Sequence, residues 1–253
     1  MFTQKELQLK QEAELTSSML KSGLNSLRKA ATYGRAGEYY QSFFSLSVGI
    51  ERMLKIIIIT KFRCENEGVF PTLSECPVKG HNLIDLWDKA ELTNLEGIEN
   101  KILVFLDHFA GYLRYFNLDN ILENNGKNMS GKDPLHEWRI IQLEILEKTG
   151  KKQFANKKEM CNLVDEDSDV FFHDLCGNKN NSFHNILDEI VNEDTLQGYS
   201  VEYIFNIIKR MKNKICYLEN KKYLMPVISE FFDFYTDYWK PYEIRRKKNW
   251  LST

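Results

Sequence analysis

The sequence predicts an all-α fold, a helical bundle with additional helices at its C-terminal end, on three observations. Apolar residues recur at steps of three and four along most of the 253 residues. No segment alternates polar and apolar residues as a half-buried strand does. The most apolar run, residues 39–63 (YYQSFFSLSVGIERMLKIIIITKFR), spreads its apolar side chains nearly all the way round a helix, the pattern of a central helix enclosed by others.

Residues 4–31 make the first amphipathic helix, through Leu20, Leu24, Leu27 and Ala31, and the turn from Tyr33 to Gly37 ends it. In the central helix, Ser42, Ser45 and Gly49 form a line of small residues where a neighbouring helix can approach closely. Glu51 and Lys55 are spaced as an i,i+4 ion pair. Ile56 to Ile59 favour a strand by propensity, because β-branched side chains are stiff in a helix. The charges at 51, 52 and 55 do not suit a short strand, so burial decides for helix. Gly68, Pro71 and Pro77 break residues 66–80 into a surface loop. Leu83, Leu86, Trp87 and Ala90 then predict a short helix. Thr93 and Glu96 have capping-box spacing and open a helix through Ile98, Ile102, Phe105, Phe109, Tyr112 and Phe116. Residues 117–132, rich in Asn and Gly, read as a loop. Asp133-Pro134 is a favoured N-cap and first-turn pair, starting a helix through Leu135, Trp138, Ile141 and Ile145 that stops at Gly150. The pattern weakens over 151–197, with one short helical stretch near Phe183, Leu187 and Ile190. Two closing helices, one from Val201 to Leu218 and one through Leu224, Ile228, Phe231, Tyr235 and Tyr238, pair as a hairpin.

A composition of 43% hydrophobic and 13% aromatic residues is globular, and residues 1–253 read as a single domain. The net charge of −2 excludes a global attraction to nucleic acid, so any such contact needs a local patch. The N-terminus mixes charges into its apolar residues and lacks a secretion signal's apolar core, which predicts a cytoplasmic protein. Lys55 and Lys61 bracket the isoleucine run, and no window reaches the roughly 20 uncharged apolar residues of a membrane span. Cys64, Cys76, Cys161, Cys176 and Cys216 are odd in number and show no CxxC spacing. They read as reduced thiols, neither a disulfide framework nor a zinc site.

Two segments carry a family resemblance. Residues 49–55 (GIERMLK), followed by Gly80-His81-Asn82-Leu83 at the opening of a helix, resemble the pattern of the HEPN superfamily of bacterial all-α proteins. The resemblance implies an up-down helical bundle, often a homodimer. It also implies membership of a group in which many act as metal-independent ribonucleases in toxin–antitoxin, abortive-infection and other phage-defence systems, and others are non-catalytic binding modules. Active members carry an Arg, usually followed by a polar residue, and a His after four to six intervening residues. None of the nine arginines here has a His at that distance. The nearest match is Lys179-Asn180-Asn181-Ser182-Phe183-His184. The resemblance makes His184 the general base on a ribose 2′-hydroxyl or the acid to the leaving 5′-oxygen, roles that a near-neutral pKa suits. Lys179 would stabilise charge building on the phosphate and Asn180 would help position it. Lysine is a departure from the motif, since it offers a point charge where arginine offers a planar fork.

Other constellations name other chemistries. His173-Asp174, with His136 upstream and Asp233 or Asp237 downstream, resembles the dyad of HD-type metal-dependent phosphohydrolases. The carboxylates from Asp165 to Asp169 begin like a calcium loop, but Val170 and Cys176 stand where that loop needs Gly and Glu. Basic residues cluster at Lys148 to Lys158, at Lys209 to Lys214 and at Arg245 to Lys248. Trp239, Tyr242 and Trp250 interleave with the last group and suit stacking on single-stranded RNA, so Arg245, Arg246, Lys247, Lys248 and Trp250 are the candidates for nucleic-acid contact. Arg114, Tyr115, Phe116, Asn117 and Trp138 are aromatic-rich enough to line a pocket, with core packing as the default. The expectation is an RNA-acting effector of phage defence or of a toxin–antitoxin system. It would work through Lys179, Asn180 and His184 without metal or cofactor, as a homodimer, with RNA and an antitoxin or defence protein as partners. The alternatives are a catalytically silent interaction module of the same fold and the phosphohydrolase.

Overall fold

The computed structural model describes residues 2–30, 36–76, 78–122, 133–149, 172–173, 179–180 and 183–250, by backbone alone at 172–173, 179–180 and 183–192. The regular structure of the described residues is almost wholly helical. The helices are α1 (Gln4–Lys29), α2 (Ala36–Glu65), α3 (Leu83–Lys89), α4 (Gly97–Gly111), α5 (Phe116–Leu122), α6 (Pro134–Lys148), α7 (Phe183–Lys222) and α8 (Pro241–Arg246). Short 3-10 turns occupy Leu113–Tyr115 and Ser229–Phe232, and two-residue strands β1 (Phe172–His173) and β2 (Lys179–Asn180) pair antiparallel.

α2 is the central helix, packed by α1, α3, α4 and α7. Tyr39, Phe43, Leu46, Ile50, Met53, Leu54, Ile56 and Ile57 are fully buried, each worth about 1.5–3 kcal/mol of transfer free energy. Phe44 is the exception on this helix, turned to solvent. α1 starts at a capping box, in which the Thr3 hydroxyl accepts from the Glu6 N–H and the Glu6 carboxylate accepts from the Thr3 N–H. It then runs antiparallel to α2. Leu20 lies on Gly49 and Leu46 lies on Gly23, so closely that an ideal Cβ would stand 2.8 Å from Leu20 Cδ2 at the first glycine and 2.6 Å from Leu46 Cγ at the second. The Ser42 hydroxyl donates to the Gly23 carbonyl at 2.8 Å, and farther along the Arg52 fork spans both Glu12 oxygens at 2.6 and 2.8 Å. The small-residue line therefore works as the sequence predicts.

α3 is capped by Asn82, whose Oδ1 accepts from the Asp85 N–H. α6 is capped by Asp133, whose Oδ1 accepts from the Leu135 N–H, with Pro134 in the first turn. α4 and α6 are antiparallel, fixed by the Lys101–Glu144 ion pair and by Phe105 on Trp138 at 5.2 Å. Phe43 of α2 closes that aromatic core, 4.7 Å from Phe105, 5.1 Å from Trp138 and 5.4 Å from Phe109. α7 contacts α1, α2, α4 and α6, burying Val201, Ile204, Phe205, Ile208, Met211 and Ile215.

Four expectations are corrected. α4 begins at Gly97 and not at a Thr93 cap, because Gly97 has φ +56° and the chain turns there; Glu96 makes no side-chain cap bond. Residues 117–122, expected to be loop, belong to α5, although none of its residues is buried. α7 is continuous across residues 183–222, where the sequence suggested a short helix and a break. Gly198 sits inside α7, and its missing side chain admits the α8 backbone: an ideal Cβ would lie 2.8 Å from the Arg245 carbonyl oxygen. The predicted closing helix through Leu224 to Tyr238 is absent. Pro226 lacks an N–H and pushes Met225 out of helical conformation, leaving turns and the 3-10 segment.

Candidate functional site

The 179–184 segment forms the approach to α7. β1 and β2 pair with Phe172 opposite Asn180 and His173 opposite Lys179, and three residues after β2 the chain enters α7 at Phe183. His184 is thus the second residue of a 40-residue helix whose first turn contains no acidic residue. The N-terminal end of a helix carries a partial positive charge, a setting that favours an anion. Residues 174–178 and 181–182, Asp174 among them, lie outside the described residues, as do 165–169. The register adds His173 to the sequence-predicted set, a neighbour that the spacing from Lys179 to His184 gives no reason to include.

The C-terminal candidates divide. Trp250 is 0% exposed and is corrected: its ring packs against Phe205 at 5.7 Å and Phe234 at 5.2 Å, and its backbone N–H donates to Asn25 Oδ1 at 2.6 Å. A ring so enclosed has no free face for a base. Lys247 is also turned inward, with its ammonium 5.0 Å from the Phe234 ring centre, 4.9 Å from Trp239 and 5.8 Å from Trp250, a three-sided cation–π cage. Arg245 pairs with Glu202 at 2.8 Å and lies over Tyr199. Arg246 is exposed, and Lys248 is exposed with Asp194 at 3.7 Å, a carboxylate held more closely by Arg28 at 3.1 Å. Sequence reading missed Tyr238, which is 92% exposed although its spacing fits a buried helical stripe.

The middle basic cluster is engaged. Lys209 pairs with Asp237 at 2.9 Å, Arg210 with Glu99 at 2.8 Å and Lys212 with Asp233 at 3.4 Å, while Lys214 donates to the Glu91 carbonyl. Asp233 and Asp237, the downstream candidates for a phosphohydrolase metal, are therefore held by lysines, and His136 is exposed on α6. No group of three potential metal ligands occurs among the described residues. Trp138 is core, packed on Phe43 and Phe105, whereas Tyr115 is exposed under the Arg114 guanidinium.

The two segments that carry the family resemblance meet at Glu51. Its Oε1 is 2.7 Å from Lys55 Nζ, the expected i,i+4 pair, and 3.0 Å from His81 Nδ1. A second polar cluster is internal. The Tyr39 hydroxyl donates to Glu193 Oε1 at 3.1 Å and accepts from the Gln197 amide, and Gln142 of α6 lies beside it. Burial, then the Glu193 carboxylate, push the Tyr39 hydroxyl well above its usual pKa. Among the described residues, Gln197 Oε1 and Ser200 Oγ, both buried, have no hydrogen-bond partner.

No helix among the described residues is long and apolar enough to cross a membrane. No family model, curated protein or solved structure matches this chain.

Proposed function

We propose that the chain is a metal-independent RNA-cleaving effector, working as a homodimer, with Lys179, Asn180 and His184 as its reacting groups and His173 beside them. One observation carries the reading. The β1–β2 register sets His173 opposite Lys179, and the chain enters α7 three residues after β2 with His184 in its first turn, so the backbone gathers His173, Lys179, Asn180 and His184 near a helix N-terminus, an end that favours phosphate. The chemistry suits these groups. One imidazole takes the 2′-hydroxyl proton, the 2′-oxygen attacks the adjacent phosphorus, and the 5′-oxygen leaves with a proton from an imidazolium, giving a 2′,3′-cyclic phosphate. Lys179, at that helix end, offsets the charge on the phosphate oxygens.

The test is expression of the wild type, His184→Ala and Lys179→Arg in a bacterial host, following growth and total RNA. RNA should fragment with wild type and stay whole with His184→Ala. Lys179→Arg should cleave as well or better, since guanidinium binds two phosphate oxygens at once. Intact RNA and equal growth in all three, phage challenge included, would remove the reading. A silent interaction module of the same fold is then the better account, favoured by α5, where no residue is buried and Leu118, Ile121 and Leu122 face solvent.

A further inference from the structure

Residues 238–250 carry five basic side chains, Lys240, Arg245, Arg246, Lys247 and Lys248, against the single acid Glu243, in a chain whose net charge is −2. The structure sorts these charges into two layers. Lys247 and Arg245 face inward, to the aromatic cage and to Glu202, and with buried Ile244 and Trp250 they fasten the segment to α7 and α1. Lys240, Arg246 and Lys248 are left outside, and among the described residues neither Lys240 nor Arg246 has a carboxylate within ion-pair distance. The acids close by are already matched: Asp233 by Lys212, Asp237 by Lys209 and Glu202 by Arg245. Glu243 is occupied by the Lys240 N–H and the Tyr242 hydroxyl.

Two tyrosines stand among the outer charges, Tyr238 at 92% and Tyr242 at 47% exposure. They are four residues apart, so at most about 14 Å separates their backbones. Tyr242 and Arg246 are one helical turn apart on α8, on one face, about 5–6 Å between Cβ atoms. Rings and cations alternating over such distances match bases and phosphates alternating along a strand.

We propose that Tyr238, Lys240, Tyr242, Arg246 and Lys248 form a binding surface for single-stranded RNA, with the caged Lys247 and buried Trp250 as its fixed backing. The proposal rests on the RNA-acting reading and names where that substrate is held. Single strands are required because a tyrosine stacks only on a base whose face is free, and in a duplex neighbouring bases cover both faces. The surface is tied to the reacting segment by α7. Asp194, beside Lys248, lies ten residues beyond His184, about 15 Å along the helix. A strand held at α8 reaches the start of α7 within a few nucleotides.

The experiment uses the full chain carrying His184→Ala, so that RNA survives, and fluorescence anisotropy with a labelled mixed-sequence 12-nucleotide RNA. The single strand should bind, its duplex at least tenfold more weakly. Tyr238→Ala and Tyr242→Ala should each weaken binding about tenfold, within the range of one lost base stack. Arg246→Ala should lower the slope of log affinity against log salt by about one. Lys240→Ala provides a second variant on the same footing. Polyglutamate should displace the RNA poorly. Equal binding of duplex, indifference to both tyrosines with folding intact by circular dichroism, or displacement by polyglutamate at equal charge would each overturn the proposal, the last assigning the surface to an acidic polypeptide. The two readings fail separately. Tyrosine-dependent binding without cleavage by wild type removes the catalytic reading alone, and His184-dependent cleavage with tyrosine-independent binding removes this one alone.

Discussion

Gly49→Ala is the sharpest probe of how the bundle is held. An alanine Cβ would stand 2.8 Å from Leu20 Cδ2, 3.0 Å from Leu20 Cγ and 3.3 Å from the Leu20 backbone nitrogen, where ordinary contact begins near 3.4 Å. Leu20 is fully buried and cannot swing into solvent, so α1 and α2 must separate by some tenths of an ångström or Leu20 must leave its rotamer. Overpacking of this kind costs about 1–3 kcal/mol. Replacing glycine inside a helix returns about 1 kcal/mol through backbone entropy. The net expectation is a loss of about 0–2 kcal/mol, and the informative quantity is its dependence on Leu20. Leu20→Ala alone should cost about 2–5 kcal/mol by leaving a cavity. In that background the clash is relieved, so Gly49→Ala should become neutral or stabilising, a coupling of about 1–3 kcal/mol between the sites. Urea unfolding followed by far-ultraviolet circular dichroism, read as midpoint shifts at constant slope, measures all four proteins. Additivity within about 0.5 kcal/mol would refute the close crossing.

Two further outcomes are expected. Glu219 is buried, and burial raises its pKa above the ordinary 4.5 while the Ser229 and Ile228 groups that donate to it pull the other way. The folded state then keeps the proton to higher pH than the unfolded chain, so this group's contribution is complete below the unfolded value and fades as pH rises through the folded one. The stability of Glu219→Gln relative to wild type should therefore improve from pH 4.5 toward neutrality, and a pH-independent difference in urea midpoints would contradict the assignment. Trp250→Ala should cost about 3–5 kcal/mol by emptying a fully enclosed site, seen as a lowered thermal midpoint; a loss under 1 kcal/mol would mean that the ring is not core.

What was legible in the sequence follows from which interactions are local. Asp133 caps the helix that its position predicts, because a cap needs only its own next two or three residues. The Gly49 approach was readable because small residues at helical spacing leave room for a neighbour whoever it is. The misreadings depend on partners distant in sequence. The helical pattern weakens up to residue 197, yet α7 runs through to Lys222 with the Arg245 carbonyl seated against Gly198. Leu224, Ile228, Phe231 and Tyr235 repeat like a helical stripe, yet Glu219 accepts from the Ile228 and Ser229 N–H groups and bends the chain into turns. Trp250 and Lys247 read as a basic-aromatic surface strip because composition records which residues are adjacent, not which way they face. His173 joins the candidate site only through strand pairing, to which no helical periodicity could point.

The cluster around Tyr39 has a consequence for the choice among helix alignments. The apolar face of α7 repeats every three or four residues from Val201 to Leu218, so sliding the helix by one turn would still lay aliphatic side chains against α1, α2 and α4. Such a stripe discriminates poorly between neighbouring positions. Glu193 and Gln197 do not repeat in that way. Only one axial setting brings both to the Tyr39 hydroxyl, and a slip of one turn would take the buried Glu193 carboxylate away from that hydroxyl, at a cost of about 1–3 kcal/mol. An all-apolar replacement of Tyr39, Glu193 and Gln197 would accordingly make a bundle no less stable but with more than one way to dock α7, as a single buried asparagine does for register in coiled coils when it is removed. The polar interior thus acts as a detent, selecting the position at which α7 presents its first turn and its α8 contact.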